Sequence, residues 1–183
     1  MRLIPFLTAF TLFLSPALAL ADCAPMPDRD DLKDELYADL RLAPDQGAAR
    51  VVSERLWAIW LTAPDSPAQR MLDEGLGRIQ MGDLNGARSA LSALIEYCPD
   101  YAEGYNQRAY AAFLSRDYPA ALADLDLAIE REPRHLGALT GKALTLIGMG
   151  DVDAAQVPLR TALRLNRWLS ERAYLTGPME EET

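Results

Sequence analysis

A 34-residue internal repeat constrains the fold of this chain more than any other feature of its 183 residues. Shifting the sequence by 34 positions superimposes residues 80–84 on residues 114–118 and 148–152. The same shift aligns small residues at two positions and a leucine at a third, in the columns Gly75, Ala109 and Ala143; Ala87, Ala121 and Ala155; and Leu91, Leu125 and Leu159. Copies in one register predict one structural unit that stacks on itself, over residues 68–101, 102–135 and 136–169.

Each copy predicts a pair of antiparallel helices. Two stretches of about fourteen residues carry apolar side chains three and four positions apart, as one face of a helix requires. An aspartate separates the stretches, at Asp83, Asp117 or Asp151, and its carboxylate can accept hydrogen bonds from the free N–H groups of the second helix. Pro99 and Pro133 then end the second helix, because proline lacks the N–H that a helix interior needs.

These units resemble the tetratricopeptide repeat, a family whose repeats have this length and this order of small and bulky residues. The middle copy has the closest pattern, with Tyr105, Ala109, Tyr118, Ala121 and Leu125. The resemblance implies an all-α fold, a right-handed α-solenoid of helical hairpins. It also implies that the first helix of each pair lines a concave groove, where such proteins hold a peptide or protein segment.

Helical patterns also flank the repeats. Residues 30–41 and 46–61 are amphipathic, and we expect them to form a degenerate N-terminal hairpin within residues 22–67. A solenoid needs a cap at each end, because a terminal hairpin has no neighbour to cover its outer face. Trp168, Leu169 and the residues up to Leu175 predict a short C-terminal capping helix, and residues 170–183 finish in an acidic tail.

The first 21 residues are typical of a secretory signal. A positive Met1-Arg2 start precedes an apolar stretch, and small residues end at Ala19 and Ala21, where cleavage is expected. The mature protein would then be periplasmic or secreted, with no membrane segment. An uncleaved anchor is the alternative, because the uncharged run reaches from residue 3 to residue 21. A lipoprotein anchor is disfavoured by the acidic Asp22 before Cys23.

The two cysteines, Cys23 and Cys98, predict a disulfide. An exported protein folds in an oxidising compartment, and Cys23 would lie near the new N-terminus, within reach of the helix that carries Cys98. One buried thiol and one free thiol is the alternative.

The composition argues against several functional classes. With a net charge of −9 and no basic cluster, the chain is not expected to bind nucleic acid. One histidine and two cysteines cannot supply four zinc ligands without help from carboxylates, and the acids of residues 28–35 lack the glycine-containing loop of an EF-hand. We interpret His135 as a surface or capping residue without an evident partner. Since no catalytic motif occurs, we expect no enzyme, metal or cofactor.

By the resemblance, three columns of first-helix residues line the groove: Leu72, Asn106 and Thr140; Leu76, Tyr110 and Leu144; Ile79, Phe113 and Ile147. Seven of the nine are apolar or aromatic, which predicts hydrophobic anchoring with Tyr110 and Phe113 at the centre. Family members that grip a terminal carboxylate use Lys, Arg and Asn here, and only Asn106, beside Gln107 and Arg108, fits that pattern. We therefore expect no carboxylate clamp. In the alternative, Trp57 and Trp60 of the N-terminal hairpin fill the groove as ordinary core.

Two functional hypotheses follow. The first is an exported interaction scaffold that binds a peptide or protein segment of unknown identity in its groove. The second is a structural component of a cell-envelope assembly, self-associating or permanently docked. The oligomeric state separates the two hypotheses, and the sequence does not determine it.

Overall fold

The computed structural model describes residues 23–179, and within that range the chain is all-helical. The predicted signal at residues 1–21 and the acidic residues 180–182 lie outside this range. None of the helices within it is long and apolar enough to cross a membrane. The elements are α1 (Asp30–Leu42), α2 (Gln46–Trp60), α3 (Ser66–Gln80), α4 (Leu84–Tyr97), α5 (Ala102–Leu114), α6 (Tyr118–Arg131), α7 (Leu136–Gly148), α8 (Val152–Leu165) and a terminal 3₁₀ helix (Ser170–Tyr174).

Six of these helices form the three repeats as consecutive hairpins. The pairs α3 and α4, α5 and α6, and α7 and α8 pack within each repeat, while α4 packs on α5 and α6 on α7 between repeats. The first helices also follow one another, since α3 contacts α5 and α5 contacts α7. This is the predicted solenoid. Gly75 shows why small residues recur, because a Cβ there would lie only 2.6 Å from the Leu91 side chain.

Local sequence sets where each second helix begins. Asp83, Asp117 and Asp151 are the N-caps of α4, α6 and α8, and each side chain accepts a hydrogen bond from a backbone N–H of the first turn, as predicted. The two residues directly before each of these aspartates form the tight turn that joins the paired helices. These caps satisfy donors that the helices themselves leave unpaired.

The N-terminal hairpin, α1 and α2, packs on the last repeat. Its buried residues Leu36, Leu40 and Leu56 share one core with Leu139 of α7 and Ala162 of α8. We expected a degenerate repeat, but this core is not shared with α3 and α4, which form a separate cluster. The sequence predicts an apolar face for each helix and does not specify which surface covers it.

The C-terminal segment closes the same end of the solenoid. The 3₁₀ helix follows α8 as the predicted short cap, and Leu175 and Met179 pack on the core of the third repeat. Trp168 packs instead on the core that the N-terminal hairpin shares with α7. Arg167 donates a hydrogen bond to the Ala43 carbonyl at 3.1 Å, so the segment after α8 meets the loop between α1 and α2 there.

The predicted disulfide is present in the structure. Cys23 and Cys98 are paired, with Cα atoms 5.2 Å apart and a separation of 75 positions in the sequence. Asp65, the N-cap of α3, holds the same segment, because its carboxylate accepts hydrogen bonds from the Ala24 N–H at 3.0 Å and the Tyr97 hydroxyl at 3.1 Å. Backbone N–H donors from Ala68 and Ala24 lower the pKa of Asp65.

Candidate functional site: an uncharged cavity between the first helices of repeats two and three

A cavity of about 310 Å³ lies between α5 and α7. Five of the nine predicted groove residues line it: Asn106, Tyr110, Phe113, Thr140 and Leu144. The other lining residues are Trp57, Gln107, Ala109, Leu125, Gly137, Gly141 and Thr145. The cavity is therefore bounded mainly by apolar, aromatic and amide side chains.

The remaining four predicted residues lie elsewhere. Leu72 is fully buried in the core of the first repeat, and Leu76 and Ile79 pack against that core. Ile147 is half-buried on α7 and does not line the cavity. In the first repeat these side chains of α3 pack on the cluster that includes Leu91 and Leu94, fully for Leu72 and in part for Leu76 and Ile79.

Tyr110 is the most exposed aromatic side chain of the lining, with 49% of its surface open to solvent. Phe113 is half-buried, and its ring centroid lies 5.8 Å from that of Tyr118. Tyr110 is therefore an accessible aromatic side chain at the edge of the cavity, and Phe113 beside it is held in place by packing on Tyr118.

The N-terminal hairpin contributes one wall. Trp57 of α2 lines the cavity, and its ring passes so close to Gly137 that a Cβ there would lie 2.5 Å from it. Trp60 is buried and stacks on His135, with ring centroids 4.1 Å apart. Trp60 therefore belongs to the core that the hairpin shares with α7, whereas Trp57 narrows the space without closing the cavity beside Tyr110.

A buried acid and histidine lie next to this cavity. Glu103 on α5 and His135 before α7 are 1% and 0% exposed, and the Glu103 Oε2 lies 2.7 Å from the His135 Nε2. His135 caps α7, because its Nδ1 accepts a hydrogen bond from the Ala138 N–H at 3.2 Å. With Nδ1 as the acceptor of that bond, Nε2 is the ring nitrogen that donates to Glu103.

His135 therefore caps a helix, which is one of the two roles predicted for it. The prediction of a surface position without a partner is wrong, because His135 is buried and contacts Glu103. Glu103 is 32 residues away, and the equivalent positions of the other repeats hold Gln69 and Gly137, so no repeat column indicates the pair. Both ring nitrogens are occupied by these hydrogen bonds. The arrangement leaves neither of them to exchange a proton with a bound molecule.

Two amide side chains complete the environment of Glu103. Asn106 Nδ2 donates to Glu103 Oε2 at 3.1 Å, and Gln107 Nε2 donates to Oε1. Neighbouring Arg108 points elsewhere and forms a two-bonded ion pair with Asp124, at 2.6 and 2.8 Å. The hydrogen bond to Asp124 raises the pKa of Arg108. Of the residues that fit the carboxylate-binding pattern, none brings a positive charge to the cavity.

One group within residues 23–179 has metal-ligand atoms close together, Cys23, Asp65 and Cys98, within 4.8 Å of one another. The two sulfurs are joined to each other, and the Asp65 carboxylate is used by the α3 cap, by Ala24 and by Tyr97. The disulfide and the helix cap therefore account for the short distances between these three side chains.

The chain is similar to known repeat proteins. No protein-family profile matches it. A TPR repeat-containing protein of Rhizobium etli is 27% identical over 118 residues, which is 64% of this chain and 58% of that protein, so the chain spans little more than half of its relative. The TPR2B domain of yeast Sti1, solved as a complex with pHsp70, is 27% identical with a TM-score of 0.54, covering 58% of this chain and 85% of the domain.

The first TPR of Spaghetti (RPAP3), solved with the HSP90 peptide SRMEEVD, has a TM-score of 0.58 and covers 60% of this chain and 87% of its own. At 18% identity, this likeness concerns the fold alone. Three stacked hairpins of period 34, together with the sequence likeness to the Rhizobium and yeast proteins, support the predicted resemblance to tetratricopeptide-repeat proteins.

Proposed function

We propose that this protein is an interaction scaffold that binds a peptide or protein segment in the cavity between α5 and α7. The observation that carries the proposal is an uncharged, largely apolar cavity with a half-exposed aromatic residue, Tyr110, at its edge. The likenesses to TPR domains solved with bound pHsp70 and HSP90 peptides support it. Apolar anchors that enter such a cavity supply most of the binding free energy of a peptide.

The segment is bound without a carboxylate clamp. A clamp needs positive side chains aimed at the groove, whereas the twelve lining residues carry no charge and Arg108 is paired with Asp124. The EEVD-type terminus in the Spaghetti complex is therefore a poor guide to this ligand.

We further propose that the protein acts after export, in the periplasm or outside the cell. The disulfide supports this location, because Cys23 lies directly after the predicted cleavage region and disulfides persist in oxidising compartments.

Replacement of Tyr110 by alanine tests the proposed function. The protein lacking residues 1–21 is screened against an array of end-blocked peptides, and affinities are measured for the peptides it captures. Tyr110→Ala is expected to weaken binding about tenfold or more, as for an aromatic anchor. The melting temperature should stay nearly unchanged, because half of the side chain is already exposed.

Tyr174→Ala is the matched control, since Tyr174 is also 49% exposed and does not line the cavity. Equal affinities for Tyr110→Ala and wild type, or capture of no peptide, would overturn the proposal. An obligate oligomer in light scattering that buries Tyr110 would favour a structural role in an assembly instead.

A further inference from the structure

We propose that the cavity selects a positively charged side chain, a lysine or arginine within an extended peptide segment with apolar neighbours. This inference rests on the proposed function and adds the chemical class of the residue that is bound. Three features of the cavity carry it: the buried Glu103 carboxylate, the hydrogen-bond polarity of the lining, and the aromatic rings.

The buried Glu103 carboxylate lies behind the cavity, and no lysine or arginine of the described residues contacts it. Its three hydrogen-bond partners are His135, Asn106 and Gln107. Hydrogen bonds of this kind and the nearby N-terminus of α5 stabilise the carboxylate but do not cancel its charge. Because burial lowers the effective dielectric constant, the charge acts on the adjoining cavity more strongly than it would across water.

The polar side chains of the lining present acceptors to a ligand. Asn106 and Gln107 use their NH₂ groups on Glu103, which leaves their amide oxygens. Thr140 donates its hydroxyl proton to the Leu136 carbonyl at 2.9 Å, and Thr145 donates to Gly141 at 2.7 Å. Within the part of the chain that the structure describes, no donor is bonded to these two amide oxygens. A bound group therefore meets oxygen lone pairs, which suit N–H donors and repel a carboxylate.

Aromatic rings favour the same ligand. Trp57, Tyr110 and Phe113 line the cavity, and the face of an aromatic ring attracts a cation. The methylene groups of a lysine or arginine can pack on these rings and on Leu144 while the charged end meets the oxygens.

The lysine and arginine side chains on the far side of Glu103 do not make the surroundings of the cavity positively charged. A second cavity, between the segment before α1 and the junctions of the repeats, is lined by three cations, Arg29, Lys33 and Arg131, and by five acids. The acids are Asp28, Asp30, Asp100, Glu103 and Glu132. Lys33 is ion-paired with Asp30 and Glu132, and Arg131 donates to the Pro99 carbonyl at 2.6 Å. The whole chain carries a net charge of −9, which attracts a cationic ligand over longer distances.

The test compares end-blocked peptides of the sequence Ala-Leu-Xaa-Leu-Ala, in which Xaa is lysine, arginine, norleucine or glutamate. Blocked ends remove the terminal charges, and norleucine keeps the length of lysine without its charge. Binding is followed by intrinsic tryptophan fluorescence and by calorimetry. We expect the lysine and arginine peptides to bind at least tenfold more tightly than the norleucine peptide, and the glutamate peptide to bind most weakly.

Glu103→Gln removes the charge and keeps the shape of the side chain. It should reduce the ratio of the lysine affinity to the norleucine affinity, and the melting temperature of the variant is measured in parallel. If the variant does not fold, the wild-type protein supplies the second readout, because rising salt should weaken the lysine peptide and not the norleucine peptide.

The outcomes separate the two proposals. Norleucine or glutamate binding as tightly as lysine would overturn the charge preference and leave the scaffold function standing. Failure of all four peptides, together with failure of the peptide array, would overturn both.

Discussion

Two buried tyrosines join the N-terminal hairpin to the repeats. Tyr37 of α1 donates its hydroxyl proton to the Arg134 carbonyl, and Tyr101 before α5 donates to the Trp60 carbonyl. Burial raises the pKa of both hydroxyls above the ordinary value for tyrosine. Each residue therefore stabilises the fold only in its neutral form.

These tyrosines predict a loss of stability at alkaline pH. The unfolded chain releases tyrosine protons near pH 10, while the folded chain retains those of Tyr37 and Tyr101. Their contribution is complete below about pH 10 and declines above it, by about 1.4 kcal/mol per pH unit for each tyrosine. Urea unfolding from pH 9 to pH 11 measures this decline. Tyr101→Phe should make it shallower, and Tyr174→Phe, at an exposed position, should not; equal slopes in all three proteins would contradict the account.

Residue-level predictions succeeded where the cause was local. The caps at Asp83, Asp117 and Asp151 follow from three or four neighbouring residues, and all three form as predicted. The partner of His135 could not be predicted, because Glu103 reaches it only after two helices have packed side by side. The polarity of the candidate site arises from that long-range contact.

Among the elements, the turns inside the repeats carry a strained residue. Gly82 and Gly150 have φ angles of 76° and 86°, in the left-handed region that favours glycine, and the equivalent turn of the middle repeat places Arg116 at 59°. A side chain with a Cβ is disfavoured there by about 1–2 kcal/mol. The repeat alignment shows that Arg116 stands where the other two repeats have glycine. The sequence alone does not show that the backbone at Arg116 keeps the left-handed conformation.

Arg116→Gly is expected to stabilise the protein. Relief of the backbone strain exceeds the extra entropy that glycine has in the unfolded chain, for a net gain of about 0.5–1 kcal/mol. Gly150→Ala is the reciprocal control and should lose about 1 kcal/mol, because a Cβ there meets open space and only the backbone conformation is affected. Urea denaturation measures both, and a loss of stability in Arg116→Gly would contradict the strain assignment.

At the scale of the whole molecule, the N-terminal hairpin packs on the third repeat and supplies Trp57 to the lining of the cavity. The sequence predicts the hairpin helices from their amphipathic faces, and the repeats from their period. The contact of α1 and α2 with the third repeat depends on shape complementarity between distant segments, so the sequence did not predict that Trp57 would line the cavity. Five of the nine predicted groove residues line the cavity, whereas the three of the first repeat and Ile147 do not.

The disulfide holds this arrangement from the N-terminal side. It closes a loop of 75 residues that contains α1 to α4, and in the chain-entropy model such a loop contributes about 4 kcal/mol. Cys23→Ser should lower the free energy of unfolding by up to this amount. Cys23 is the better position for the test, since Cys98 is buried and its replacement would also disturb packing.

Thiol titration of the protein isolated from its own compartment provides the control. No thiol should react in denaturant before reduction, and two should react afterwards. Two reactive thiols without reduction, or an unchanged stability in Cys23→Ser, would contradict the role given to the disulfide.

The most direct test of ligand binding at the cavity uses the three tryptophans as reporters, at positions 57, 60 and 168. Trp57 lines both this cavity and a neighbouring one, whereas Gly141 lines only this cavity and Trp168 only the neighbouring one. In NMR spectra of the ¹⁵N-labelled protein titrated with its tightest-binding peptide, the account predicts saturable shifts of the Trp57 indole and the Gly141 amide, with the Trp168 indole unmoved. Saturable binding that leaves Trp57 and Gly141 unshifted, or shifts Trp168 most, would contradict it.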